Sequence, residues 1–232
     1  MDERILISDA VEEFLLYLET IKGYSSNTVN SYRNDLEKFM SFCGSQKYAD
    51  EYTFNDIRYA IPCMSELKSK SATINRFIAS VRGLFAYCKK FGYINDNPAL
   101  KLKTVKMDKP YHQVVTQKEM YSVCSSPENT GLLWPARDRA LFEMLYSSGC
   151  RVSEMCSLTF KNFAPGYTRA RITGKGNKDR IVFFEEDAVK ALKLYLLERE
   201  EFLKQKFPGK KLQSIFVNRN GTVLTTRGVA WI

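Results

Sequence analysis

In the stretch SGCRVSEMCSLTF, residues 148–160, Arg151 follows a Gly-Cys pair and opens a helix whose apolar stripe is Val152, Met155 and Leu158. Backbone N–H groups at a helix start are unpaired and favour an anion. A guanidinium beside them offers forked donors that suit a phosphate. Glu154 lies three residues on, one turn later on the same face, where it can brace the arginine. An ion pair that only holds two helices together would use the same residues, and this segment alone leaves both alternatives open. A second cluster lies in GKGNKDR, residues 174–180. Glycines on each side of Lys175 leave its stem uncrowded and let the backbone approach a ligand. Lys178 and Arg180 add charge to the same turn. A two-stranded ribbon of this kind can reach into a nucleic-acid groove, although an ordinary solvated β-turn carries such lysines too. The spacing excludes a P-loop.

The elements around these clusters follow from periodicity. AVEEFLLYLETIKG places Val11, Phe14, Leu15, Leu18 and Ile21 on one helical face and ends at Gly23. SSNTVNSYRNDLEKFMSFCG begins again with Ser25 or Ser26 as cap and stops at Gly44. FNDIRYAIPCMSELKS is weaker, because Pro62 should bend or divide it. SATINRFIASVRGLFAYCKKFGYI is long, with Ile74, Phe77, Ile78, Val81, Leu84, Phe85 and Cys88 on one face. Residues 97–115, rich in lysine with two prolines and poor periodicity, read as a basic and extended linker. Beyond it come a capped helix (TQKEMYSVCSS), an amphipathic helix (ARDRALFEMLYSSG) and two β-type runs flanking GKGNK. A long charged helix (residues 185–206), an extended pair or turn around RNG, and a helix start capped by Thr225 or Thr226 complete the chain. The expected fold is mainly α with a small β component: a four-helix domain over 1–105, a linker at 106–112 and a second, α+β domain over 113–232.

The chain of 232 residues carries a net charge of +9 and 44% hydrophobic residues, enough for two packed cores. The charge is uneven. Residues 1–105 hold 14 Lys/Arg against 13 Asp/Glu, whereas residues 106–232 hold 21 against 13. A polyanionic partner is the natural inference from the second half, with nucleic acid the commonest. Six scattered cysteines without a CxxC pair read as reduced thiols of a cytoplasmic protein. The single histidine, His112, cannot build a histidine-based metal site, and no apolar run is long enough to span a membrane.

The order of these segments resembles the tyrosine recombinases, or phage-integrase family, and most closely their Xer type. The motifs that carry the likeness are G-x-R-[VI]-S-E at Arg151 and GKGNK-x-R at Lys175. In the first half, SNTVNSYRNDLEKFMSFC and SATINRFIASVRGLFAYCKKFGYINDNPA resemble the family's helical, SAM-like core-binding domain. The resemblance implies site-specific DNA recombination through a 3′-phosphotyrosyl intermediate. By residue, it implies that Arg151 grips the scissile phosphate, Glu154 supports that arginine, and Lys175 is general acid toward the departing 5′-oxygen. It implies no metal and no cofactor. It also implies a clamp around double-stranded DNA: Asn27, Thr28, Ser31, Tyr32 and Arg33 on the second helix and Thr73, Asn75 and Arg76 on the fourth face the duplex. Lys178, Arg180 and Arg227 do so from the second domain.

Further family groups (an H-x-x-R segment, a later His or Trp and the tyrosine nucleophile) have no match after Lys175. The only later tyrosine, Tyr195, reads as a packing or surface residue of the long helix. The expectation is a chain truncated before those groups, binding DNA yet catalytically incomplete, monomeric in solution, where the complete protein forms tetramers on two duplexes. A non-catalytic DNA-binding regulator of recombination sites, and an unrelated basic protein that binds RNA, are the alternatives.

Overall fold

The computed structural model describes residues 4–107, 115–129, 134–174, 176 and 178–232. The chain forms two compact units, divided between residues 111 and 112. Among the described residues it is mostly helical, with one two-stranded sheet.

The first unit contains α1 (Ile7–Thr20), α2 (Ser26–Cys43), α3 (Phe54–Glu66) and α4 (Ser71–Lys90). The Ser25 hydroxyl accepts from the Thr28 amide and caps α2. Thr53 and Asp56 form a reciprocal capping box at the start of α3. The apolar stripes meet in one core that includes Phe14, Leu15, Leu36, Phe39, Phe77, Leu84 and Phe85. Phe39 and Phe85 pack edge to face with centroids 5.8 Å apart.

Two expectations are corrected here. α3 runs through Pro62 without a break. Proline removes one helical donor, at a cost of about 3 kcal/mol, but Ile57, Ala60 and Met64 are fully buried on the other face and keep the helix undivided. The segment 97–105 is not a free linker either. The Asn75 amide donates to the Val105 carbonyl at 2.9 Å, and its oxygen accepts from the Val105 amide at 2.7 Å. The Arg82 guanidinium donates to the carbonyls of Ala99 and Leu102. Ala99 and Leu102 enter the core, because side chains of α4 satisfy backbone groups that an extended segment would otherwise leave open.

The second unit contains α5 (Gln117–Asn129), α6 (Pro135–Ser148), α7 (Val152–Ser157), the strands β1 (Arg169–Thr173) and β2 (Asp179–Phe183), α8 (Glu186–Lys206) and the short α9 (Thr226–Val229). Thr116 and Glu119 form a reciprocal cap at the start of α5, and Thr225 caps α9. β1 and β2 are antiparallel, with Ala170 opposite Val182 and Ile172 opposite Arg180. Tyr195 is a packing residue: it is fully buried and stacks on Phe216 with centroids 5.5 Å apart. Its hydroxyl donates to the Ile215 carbonyl and accepts from the Val217 amide, so α8 is pinned to the 215–217 segment. All six cysteines are free thiols. No helix among the described residues is long and apolar enough to cross a membrane.

Candidate phosphate-binding site

The site is built where α6 stops and α7 starts. Gly149 takes the left-handed conformation (φ 60°) and its amide closes α6 on Leu145. This turn lets the chain reverse and begin α7 three residues later, with Arg151 as its N-cap. Glu154, at the third helical position, reaches back to accept from the Arg151 amide at 2.9 Å. Its other oxygen accepts from the Arg151 guanidinium, also at 2.9 Å.

A second arginine holds the same carboxylate. Arg180, on β2, donates from Nη1 to Oε1 at 3.1 Å and from Nη2 to Oε2 at 2.7 Å. Glu154 is only 6% exposed, whereas the side chains of Arg151 and Arg180 are 63% and 40% exposed. The carboxylate therefore forms the buried floor of a site whose two cations face outward. The hairpin approaches it closely at Gly174. A Cβ there would come within 2.6 Å of Arg180 Nη1 and 3.2 Å of Glu154 Oε1, so any side chain at this position would displace the Arg180 guanidinium from where it stands.

These contacts set the protonation of the floor. The hydrogen bonds from Arg180 are the foremost cause, with those from the Arg151 amide and guanidinium behind them; together they outweigh burial and hold the Glu154 carboxyl down to about 2. An unfolded glutamate titrates near ~4.3, so folding favours the ionised form. Its contribution to stability is complete above about pH 5 and disappears as pH falls from about 4 towards 2. Urea unfolding of the chain at pH 7 and pH 3 is expected to show a loss in the second unit that Glu154→Gln reduces, with the remainder coming from Glu119, Glu186 and Glu200, whose partners also hold them low. Equal pH sensitivity in both proteins would refute this. Tryptophan emission isolates that unit, since Trp134 and Trp231 both belong to it.

The other residues singled out in the sequence divide into two groups. Lys175 lies outside the described residues. Lys178 and Arg227 are exposed, as is Asn27. Thr28 shares a hydrogen bond with Ser25, Ser31 donates to the Asn27 carbonyl, and Thr73 is half-buried. Five others also have partners within the fold, although the arginines among them stay 39–47% exposed. Tyr32 is half-buried edge-on to Phe14 and Tyr24. Arg33 pairs with Glu12 at 2.5 Å. Asn75 ties down Val105. Arg76 makes a two-point contact with Asp35 at 2.9 Å for each bond, and Arg180 holds Glu154.

Sequence reasoning missed Asp35. It is fully buried and takes the Arg76 fork together with the Ser80 hydroxyl at 2.9 Å. Its signal was an acid set just before Leu36 in the apolar stripe of α2. The buried pair Arg137–Asp138, at 2.6 Å on α6, was also missed, since the polar sequence ARDR gives no sign of burial. Burial raises the Asp138 carboxyl above its ordinary range although Arg137 pulls the other way.

The profile of the phage integrase family matches residues 113–231, and that of the phage integrase N-terminal SAM-like domain matches residues 11–92. Tyrosine recombinase XerC of Treponema denticola is 34% identical, over 97% of this chain and 77% of that protein. Tyrosine recombinase XerC of Leptospira interrogans (serovar copenhageni) is 32% identical, over 97% of this chain and 72% of that protein. Among solved structures, the Tn1549 transposon integrase in complex with transposon right end DNA superposes with a TM-score of 0.75 at 16% identity, covering 97% of this chain and 75% of that one. A lambda integrase dimer bound to a COC′ core site gives 0.72 at 14% identity; this chain is covered to 98% but spans only 61% of the integrase.

Proposed function

We propose, for a chain that belongs to the phage integrase family of tyrosine recombinases, with Xer-type proteins among its relatives, that it acts on double-stranded DNA as a site-specific recombinase. Arg151 is the residue that holds the phosphate to be attacked, and Glu154 fixes that arginine in place. Lys175, the residue after Gly174 in the sequence, would deliver the proton to the 5′-oxygen as a tyrosine hydroxyl bonds to the phosphorus. Tyr195, the one tyrosine after Lys175, is buried in the core and is not that nucleophile, so this sequence carries the phosphate-holding part of the reaction. Attack on a phosphodiester builds negative charge on its non-bridging oxygens, and cations placed beforehand stabilise that charge more than they stabilise the ground state. The observation that carries this reading is the shared carboxylate. Glu154 is bonded both to Arg151 and to Arg180 on β2, so the helix start and the second strand of the hairpin border one site.

Residues 1–105 and 113–232, joined through 106–112, would close around the duplex. Asn27, Thr28, Ser31 and Thr73 contact it from the first unit, and Lys178 and Arg227 from the second. Other protomers assemble on the paired sites, as in the lambda integrase dimer bound to a COC′ core site and the lambda integrase tetramer bound to a Holliday junction. A recombinase of chromosomal DNA would work in the cytoplasm.

Most of the affinity should be electrostatic. If the clamp neutralises about six phosphates, binding falls about a thousandfold between roughly 50 and 200 mM salt. A salt-titrated gel shift should show that slope for a duplex and weaker binding of single-stranded RNA of the same length. Equal affinity for both would count against a recombinase and for a general polyanion binder.

A further inference from the structure

We propose that Arg180 is a positioning residue that acts on the phosphate site through Glu154, and that its side chain is not itself a phosphate ligand. This rests on the reading that Arg151 receives the phosphate.

Three observations support it. First, the donors are divided unequally. Arg180 gives Glu154 one N–H from each terminal nitrogen, a two-point fork that fixes the guanidinium against the carboxylate. Arg151 spends only Nη1, and its Nε and Nη2 have no partner among the described residues. A carboxylate has about four acceptor positions, and here all four are used: two by Arg180, one by the Arg151 guanidinium and one by the Arg151 amide. Second, the register puts Arg180 on the ribbon face that carries buried side chains, at its edge, where the guanidinium reaches Glu154 and stays 40% exposed. Arg180 stands opposite Ile172, two residues before Val182, and both of these are buried; neighbouring side chains of a ribbon alternate between its faces. Third, Gly174 leaves the space that the Arg180–Glu154 pair occupies, and a Cβ would intrude on both partners.

The physical consequence is a division of charge. Two guanidiniums against one carboxylate leave the site with one net positive charge. Because Arg180 binds Glu154 at two points, the carboxylate competes less for Arg151, whose remaining donors stay available to a ligand. The same pair ties β2, and with it the turn beyond Gly174, to the start of α7. Without Arg180 the whole carboxylate charge would fall on Arg151, the pair would be neutral, and the turn would lose its anchor.

A double-mutant cycle tests this in the full chain, with inorganic phosphate as the probe and the Arg151 Nε–H signal in NMR as the readout. Arg180→Ala is expected to weaken the response of Arg151 to phosphate about tenfold. In a Glu154→Gln background the same change should alter it less than twofold, because the competing anion is already gone. Arg180→Lys keeps the charge but not the fork, so it should lose about threefold, and that loss should also vanish with Glu154→Gln. The lysine variant decides the matter if the alanine variant fails to fold. A tenfold loss that persists in the Glu154→Gln background would show Arg180 touching the phosphate directly and overturn the proposal. So would an unchanged response in a folded Arg180→Ala or Arg180→Lys protein, or no Arg151 response in the wild type. If the wild type binds no duplex while the cycle behaves as described, the recombinase reading falls and the role of Arg180 stands.

Discussion

Replacing Arg76 with alanine is expected to destabilise the first unit by about 3–5 kcal/mol, and to do so more severely than Asp35→Asn. The asymmetry follows from burial. The Arg76 side chain is 47% exposed and Asp35 is not exposed at all. When the acid is lost, the guanidinium turns to water and recovers most of its solvation. When the arginine is lost, a carboxylate stays in the core with only the Ser80 hydroxyl to satisfy it. Asp35→Asn should therefore cost about 1–2 kcal/mol. Urea unfolding followed by far-UV circular dichroism measures both, with tryptophan emission showing that the second unit is untouched. If Arg76 served chiefly as a DNA contact, its alanine variant would unfold within about 0.5 kcal/mol of wild type and lose affinity instead.

The second large effect is expected at Glu154→Ala, which should cost the second unit about 3 kcal/mol and loosen Arg151. Four hydrogen bonds end on this carboxylate, three of them from guanidinium groups. Bonds to charged groups contribute about 1.5–3 kcal/mol each. The total stays well below their sum, because both arginines are exposed enough to be hydrated again. What water does not restore is the reciprocal cap of α7 and the link to β2. Glu154→Gln keeps an acceptor and should cost about half as much. A Glu154→Ala protein as stable as wild type would show that the carboxylate does not hold this corner together.

The helices were legible because their apolar positions recur at helical spacing and their ends carry recognisable caps, Ser25 and Gly149 among them. The hairpin was legible because GKGNK interrupts two β-type runs. α3 was misread at Pro62, since a local breaker says nothing about the burial of Ile57 and Met64 that overrides it. The 97–105 segment looked like a linker because its partners, Asn75 and Arg82, lie more than a dozen residues upstream. At the site, Arg151 and Glu154 could be paired from spacing alone. Arg180 could not be assigned from charge, which suggested a solvent-facing contact. Its orientation followed only from pairing Ile172 across the turn, and the buried Val182 two residues on was the available clue.

The central claim is that Arg151, braced by Glu154, holds one particular phosphate of a DNA duplex. The most direct measurement takes a duplex that the chain itself selects from a random pool and neutralises its phosphates one at a time with methylphosphonate. Wild type and Arg151→Ala are then compared on every member of the set. At a single position, neutralisation should weaken wild-type binding about tenfold and leave the binding of Arg151→Ala unchanged. Uniform weakening of Arg151→Ala on all duplexes, with no position at which the two losses coincide, would contradict it.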